Sequence, residues 1–355
     1  MEGNIKMKKI LTTLCAVAML AGCTAGGSKK SSTNTTSTKE ETAATVMVGT
    51  GSVTNVVGKI NEGFDKEVKF DTTFASVVLE GNVIKYVYFD VAQDKVTFDS
   101  AGHVTSDNAT SMSKKDLGDN YGMKDKSPIK KEWFEQVEAL EKWAVGKTVE
   151  EVLNMPTTQK DEKHTVTADK DLMTGCTIGV TAFQQALDKA AKNAVEVKNV
   201  ASVGSAILTD VSGKDATAEK SGEAKASSTY GVVALDKDGK VVFTQTDVAQ
   251  NAVKFTTAGA LDGEAMAVPT KAEKKDEYSM KKASSIGKEW FEQNQAFDEW
   301  TVGKTSNEIS GMEVTTNEAG KTVTADKDLM TGCTMGVDSL QKVTVTAIAA
   351  ASKLN

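Results

Sequence analysis

Thirteen residues, TVTADKDLMTGCT, stand at 165–177 and recur without a substitution at 322–334. This identity is the peak of a longer repeat. Trp133, Trp143 and Gly146 match Trp290, Trp300 and Gly303, each pair 157 residues apart. At the same spacing Asp90-Val91-Ala92-Gln93 mirrors Asp247-Val248-Ala249-Gln250, Gly102 mirrors Gly259, and Tyr121-Gly122-Met123-Lys124 mirrors Tyr278-Ser279-Met280-Lys281. A period of this length is a duplicated domain, not the short stacking unit of a solenoid. Whatever one copy folds into, the other must also accept. The chain therefore reads as two tandem homologous domains, 45–196 and 197–355, with the boundary near Val197.

Both copies carry the same order of patterns. In the first, a β-branched stretch from Thr45 to Val57 predicts a strand. Ala75 to Leu79 and Val83 to Phe89 flank Glu80-Gly81-Asn82 and predict a hairpin, with a third strand through Lys95 to Phe98. In the second, Val232 to Leu235 and Lys240 to Phe243 flank the turn Asp236-Lys237-Asp238-Gly239. Trp133, Val137, Leu140 and Ala144 then share one helical face, and Gly146 stops that helix. A short helix over Val149 to Leu153 leads to the invariant segment, and a last helix runs from Gly179 to Ala194, with Phe183, Ala186, Leu187 and Ala190 on one face. Strands followed by helices predict an α+β fold, each domain a small antiparallel sheet with packed helices.

The first residues read differently. Lys6, Lys8 and Lys9 precede a short apolar run, Ile10 to Leu20, and then Leu20-Ala21-Gly22-Cys23. A basic start, a brief apolar core and small residues at the cleavage point make residues 1–22 a signal peptide, too short in its apolar run to stay as a spanning helix. The Leu-Ala-Gly-Cys ending is similar to a bacterial lipobox, which implies lipid on Cys23 and an anchor of several acyl chains. Residues 23–44 are Ser/Thr-rich with almost no large apolar side chain and read as a disordered, flexible tether.

Composition narrows the chemistry. Every basic residue is Lys, and removing residues 1–22 takes away three Lys and one Glu, leaving 39 Lys against 48 acidic residues, a net charge of −9. That sign and the missing guanidinium forks argue against nucleic acid as a partner. His103 and His164 face Ala260 and Lys321 in the other copy, so no duplicated zinc site or His-based triad is expected and both read as exposed loop or strand-end residues. Val48-Gly49-Thr50-Gly51-Ser52-Val53 opens like a dinucleotide fingerprint but lacks the third glycine and a following helix pattern, and it reads as a strand bend. Trp133 and Trp290 lie on apolar helix faces and read as core, with stacking on a planar ligand as the alternative. Once Cys15 and Cys23 are set aside, Cys176 and Cys333 remain, one per copy, able to bridge only if the two invariant segments touch.

The invariant segment carries the rest. A helix start explains one Thr as a cap and Gly175 as a turn. It does not explain why Asp and Thr stand six apart in both copies with Leu, Met and Cys retained between them, since packing alone tolerates exchange among similar shapes. An anion at a helix N-terminus, with glycine admitting close approach, accounts for more.

Asp171 to Thr177 and Asp328 to Thr334 resemble the flavinylation motif read by flavin transferases: Asp, two variable residues, Ser or Thr, Gly or Ser, a small residue, then Thr. Similar sites occur in subunits of sodium-pumping quinone reductases and in extracellular flavin lipoproteins of low-GC bacteria, whose lipobox, tether and tandem copies this layout resembles. Cys176 and Cys333 stand where Ala is commoner in the pattern. The resemblance implies two FMN groups, each joined through its phosphate to Thr177 or Thr334. It implies that Asp171 and Asp328 mark the site for the transferase, with metal-assisted positioning during the modification. Met173, Thr174, Gly175 and Cys176, with Met330, Thr331, Gly332 and Cys333, would line the phosphate and ribityl side. Tyr121, Met123 and Lys124, with Tyr278, Met280 and Lys281, are candidates for the ring side, against a reading as an ordinary polar loop. The implied function is an electron carrier on the outer face of the cell membrane, taking electrons from a membrane quinol-oxidising system to extracellular acceptors such as ferric iron or quinones. Two alternatives stand beside it: a surface lipoprotein that binds ligands or adheres without redox activity, and a thiol pair made of Cys176 and Cys333.

Overall fold

Three long strands in each half carry the described residues, 45–60 and 66–354, of the computed structural model. In the first half β1 (Val46–Lys59), β2 (Lys66–Glu80) and β3 (Val83–Phe98) are followed by the short β4 (Ala109–Ser111), α1 (Lys114–Leu117), α2 (Trp133–Ala144), α3 (Val149–Leu153), the hairpin β5 (Thr157–Gln159) and β6 (Thr165–Thr167), α4 (Thr181–Lys192) and β7 (Val195–Val197). The second half runs β8 (Ser202–Lys214), β9 (Gly222–Leu235), β10 (Val241–Phe255), α5 (Lys271–Lys274), α6 (Trp290–Thr301), α7 (Ser306–Ser310), β11 (Val314–Thr316), β12 (Thr322–Thr324), α8 (Lys327–Met330), α9 (Asp338–Ala349) and β13 (Ser352–Lys353). The fold is mixed α+β with antiparallel sheets. The segments expected to be a signal peptide, 1–22, and a tether, 23–44 with Cys23, lie outside the described residues. No helix among the described residues is long and apolar enough to cross a membrane.

One sheet has the order β3-β2-β1-β7 and the other β10-β9-β8-β13. Their inner faces share a core. Phe98 stacks on Phe255 with ring centroids 3.9 Å apart, Phe74 packs on Tyr230 at 5.2 Å, and Ser76 hydrogen-bonds Ser205 across the interface. The strand β4 leaves the first half altogether and pairs with β8. Consequently the described residues form one compact unit, with helices on the outer faces.

The strands are longer than apolar alternation predicts. The expected third strand at 95–98 is the end of a continuous β3, and β2 begins at Lys66, nine residues before its apolar run. Pairing to neighbours on both sides carries polar residues such as Lys69 and Asp71 into the ladder. The glycine pair in β1 is not a bend. A Cβ on Gly49 would lie 2.3 Å from the Ala190 carbonyl oxygen, and one on Gly51 2.6 Å from Lys189 Cβ. The glycines let α4 press directly on an unbroken strand. Gly204 serves α9 in the same way.

Candidate functional site

The helix that positions the invariant segment is α2, or α6 in the second half. Glu141 and its counterpart Asp298 accept hydrogen bonds from the β3 and β10 backbone, Glu141 from the Phe89 N–H at 2.6 Å and Asp298 from the Thr246 N–H at 3.0 Å. Burial pushes both carboxyls upward in pKa. Lys115 offsets this in the first half with an ammonium 2.6 Å from Glu141. In the second half the Thr246 hydroxyl at 2.6 Å takes its place. The retained Asp90 and Asp247 have a structural role as well: Asp90 accepts from the Val91 and Lys115 N–H groups, and Asp247 from those of Val248 and Ala272.

Around α2 the chain folds back on itself at Gln136, which is fully buried. Its Nε2 donates to Ser127 Oγ at 3.0 Å and to the Lys131 carbonyl at 3.1 Å. Its Oε1 accepts from the Thr177 N–H at 2.9 Å and the Thr177 hydroxyl at 3.0 Å. Gln293 repeats the arrangement. Its Nε2 donates to Ser284 Oγ at 2.9 Å and the Lys288 carbonyl at 3.1 Å, and its Oε1 accepts from the Thr334 N–H at 2.8 Å, the Met335 N–H at 3.1 Å and the Thr334 hydroxyl at 3.3 Å. The loop at 121–127 and the invariant segment are thus joined through one side chain, which stands 41 residues before Thr177. Tyr121 and Met123 pack half-buried beside Trp133, as Tyr278 and Met280 do beside Trp290, while Lys124 and Lys281 are exposed. The tryptophans are core, as their helix faces predict.

Within the invariant segment most residues have structural partners. Asp169 Oδ1 accepts from the N–H groups of Asp171 and Leu172, Thr167 Oγ1 accepts from the Asp169 N–H, and Thr174 Oγ1 donates to the Asp171 carbonyl. Leu172 is core. Gly175 has φ −115°, so no unusual backbone requires glycine there; a Cβ would stand 2.8 Å from Ala139 Cβ, and one on Gly332 2.7 Å from Ala296 Cβ. Three exposed side chains per copy make no hydrogen bond or ion pair among the described residues: Lys170, Asp171 and Met173, matched by Lys327, Asp328 and Met330. Met173 and Met330 are each 46 % exposed, unusual for a retained apolar side chain. Thr174 and Thr331 are also exposed, and Thr177 and Thr334 are half-buried at the surface.

Two expectations need correcting. The threonines do not open the last helix: α4 begins at Thr181, four residues beyond Thr177, and α9 at Asp338, four beyond Thr334. The intervening chain is drawn into β-bridges by Gly179 and Gly336, so the helix-end anion cradle does not form at the threonines. Cys176 and Cys333 do not line a phosphate surface either. Both side chains are fully buried, in separate cores, and both are free thiols. Burial raises each thiol to about 11, which withholds the thiolate that redox or nucleophilic chemistry needs. The histidines sit exposed beside Asp99 and Asp161, as predicted.

Lys131 and Lys288 gave no signal in the sequence. Each ammonium lies over the motif glycine, 3.9 Å from the Cβ position of Gly175 and 4.0 Å from that of Gly332. Neither enters an ion pair among the described residues. No three His, Cys, Asp or Glu side chains gather into a metal site among the described residues. Comparison of the chain with protein-family models, curated proteins and solved structures finds no significant match.

Proposed function

We propose that this chain is a lipid-anchored extracellular electron carrier with two tandem homologous halves, each holding one FMN covalently on threonine, at Thr177 and Thr334. The observation that carries the reading is the division of labour within the invariant segment. Packing and capping account for Leu172, Gly175, Cys176 and Asp169. They leave the exposed Lys170, Asp171 and Met173, identical in both copies, without a structural task. Exposed residues kept by no internal contact mark recognition by another molecule. Beside them stands, in both copies, a half-buried threonine whose N–H and hydroxyl meet one buried glutamine.

The surroundings suit a phosphodiester. The ammonium of Lys131 or Lys288 lies over the adjacent glycine, and Met123 is brought to the same end of α2 through Gln136, with Tyr121 packed on Trp133. Bound flavin would supply one- and two-electron chemistry; the protein supplies placement. The chemistry also constrains the donor. Joining an alcohol to a phosphate monoester in water is uphill, so the donor is a flavin dinucleotide. The Thr Oγ–P bond forms, the phosphoanhydride P–O bond breaks, the hydroxyl proton goes to a base on the transferase, and AMP leaves. No redox change accompanies attachment. On this reading Cys23 carries lipid, residues 23–44 tether the folded part, electrons enter from a membrane quinol-oxidising system and leave to acceptors such as ferric iron or quinones.

The test is co-expression with a flavin transferase, followed by denaturation and mass measurement of each motif peptide. One FMN phosphoester is expected at each threonine. Thr177→Val should abolish only the first and Thr334→Val only the second. Colourless protein with unmodified peptides would leave a non-redox binding lipoprotein as the better reading.

A further inference from the structure

We infer that Gln136 and Gln293 are positioning residues for flavin attachment: each locks the motif threonine so that its oxygen lone pairs face the incoming phosphorus, while Lys131 or Lys288 holds the charge of the phosphodiester. This rests on the flavin-carrier reading above and adds to it two residues per site that lie outside the motif.

The amide orientation is settled by its partners. Nε2 of Gln136 faces two acceptors, Ser127 Oγ and the Lys131 carbonyl, and Oε1 faces two donors, the N–H and hydroxyl of Thr177. Flipping the amide would set donor against donor and acceptor against acceptor, and burial leaves no water to repair the loss. The hydroxyl proton of Thr177 therefore points inward to Oε1. Both lone pairs of Oγ then point away from the helix, toward the half-exposed side where a phosphorus atom can approach. At Gln293 the amide orientation is fixed in the same way, with Nε2 occupied by Ser284 and Lys288, but Oε1 takes the N–H groups of Thr334 and Met335 at 2.8 and 3.1 Å and holds the Thr334 hydroxyl more loosely, at 3.3 Å. Restricting a nucleophile to one rotamer lowers the entropy lost at the transition state. A glutamine is no base, so in the transfer step the hydroxyl proton leaves Oε1 and turns to a base on the transferase, while the Thr177 N–H stays on Oε1 and keeps the residue in place. After transfer, the Thr177 N–H still holds Oε1, and the new phosphodiester carries one negative charge. Two ammoniums reach this end of the motif: Lys160, which donates to the Thr177 carbonyl at 3.3 Å but is replaced by Asn317 in the second copy, and Lys131, over Gly175, whose counterpart Lys288 lies over Gly332 and close enough to influence the Cys333 thiol; only the second is common to both sites. An ammonium aimed at a phosphate in a partly dry site is a general means of stabilising phosphoryl-transfer charge.

The two sites in one chain make the experiment internally controlled. Full-length chain is labelled with purified transferase and flavin adenine dinucleotide, and the initial rate at each threonine is read by peptide mass spectrometry over a range of protein concentrations. Gln136→Met, close in shape, should lower the maximal labelling rate at Thr177 roughly tenfold or more, with the half-saturating protein concentration unchanged and Thr334 labelled at its usual rate. Lys131→Met should slow Thr177 labelling and weaken its dependence on salt. Unlabelled wild-type chain would overturn the flavin reading itself. Wild-type labelling at both threonines, together with an unchanged maximal rate in Gln136→Met, would overturn only the positioning role. A raised half-saturating concentration at constant maximal rate would overturn it equally, by assigning Gln136 to docking.

Discussion

The glycine of the invariant segment offers a direct test of whether packing or ligand approach keeps it. A methyl group on Gly175 would stand 2.8 Å from Ala139 Cβ, well inside the optimum of about 3.5–4.0 Å for two carbons. Helix α2 must then retreat by roughly 0.7 Å, against the anchor from Glu141 to the Phe89 N–H. Inserting one methyl into such a contact costs about 1–3 kcal/mol. Backbone strain adds nothing, because φ at Gly175 is −115°. Removing the opposing methyl relieves the contact, while glycine in α2 costs about 1 kcal/mol in helix propensity. Gly175→Ala should therefore lose about 1–3 kcal/mol, whereas Gly175→Ala with Ala139→Gly should lose only about 1 kcal/mol, a strongly non-additive pair. Urea denaturation of the four chains in the double-mutant cycle measures this. Simple addition of the two single losses, or a Gly175→Ala chain as stable as the parent, would refute the packing account and return the glycine to a role in ligand approach.

Three further outcomes follow from the geometry. Phe255→Ala removes one ring of the stack that joins the two sheets and should cost about 3–5 kcal/mol. Calorimetry should still show one transition, because the halves share that core; two transitions would contradict it. Cys176 and Cys333, buried and raised to about 11, should resist alkylation at pH 8 in the native chain and react fully once it is unfolded. Asp94 is raised to about 6, chiefly by burial, from a reference of 3.8. The folded state therefore binds this proton more tightly than the unfolded chain does. Stability should fall as pH rises from about 4 to 6, by up to about 3 kcal/mol, and stay low above that range. Asp94→Asn, which installs the residue found at the equivalent Asn251, should flatten this dependence in urea titrations across the same range.

Local patterns carried much of this molecule. The apolar spacing of Trp133, Val137, Leu140 and Ala144 matches α2, and Gly146 ends it at φ 86°. Val149 to Leu153 is α3 as read, capped by Thr148 with Glu151. The hairpin at Glu80-Gly81-Asn82 was visible because turn chemistry is local. The last helix, expected over 179–194, spans Thr181–Lys192; its start is delayed because Gly179 is held in a bridge to Val166, a pairing no local pattern shows.

The sequence alone determined that the chain is built twice, that strands precede helices in each copy, and that one segment is retained beyond what a turn requires. Each of these is a pattern of spacing within a short window or a comparison of one window with another. Only the tertiary structure decided what that segment meets. Gln136 and Thr177 are 41 residues apart, Phe98 and Phe255 belong to different halves, and Lys131 reaches Gly175 only because α2 lies across it. Such contacts depend on how faces are paired, which periodicity within one element does not encode. The same packing that hid these partners from the sequence also separates the buried residues of the motif from the exposed ones, and so leaves Lys170, Asp171 and Met173 to be explained by something outside the chain.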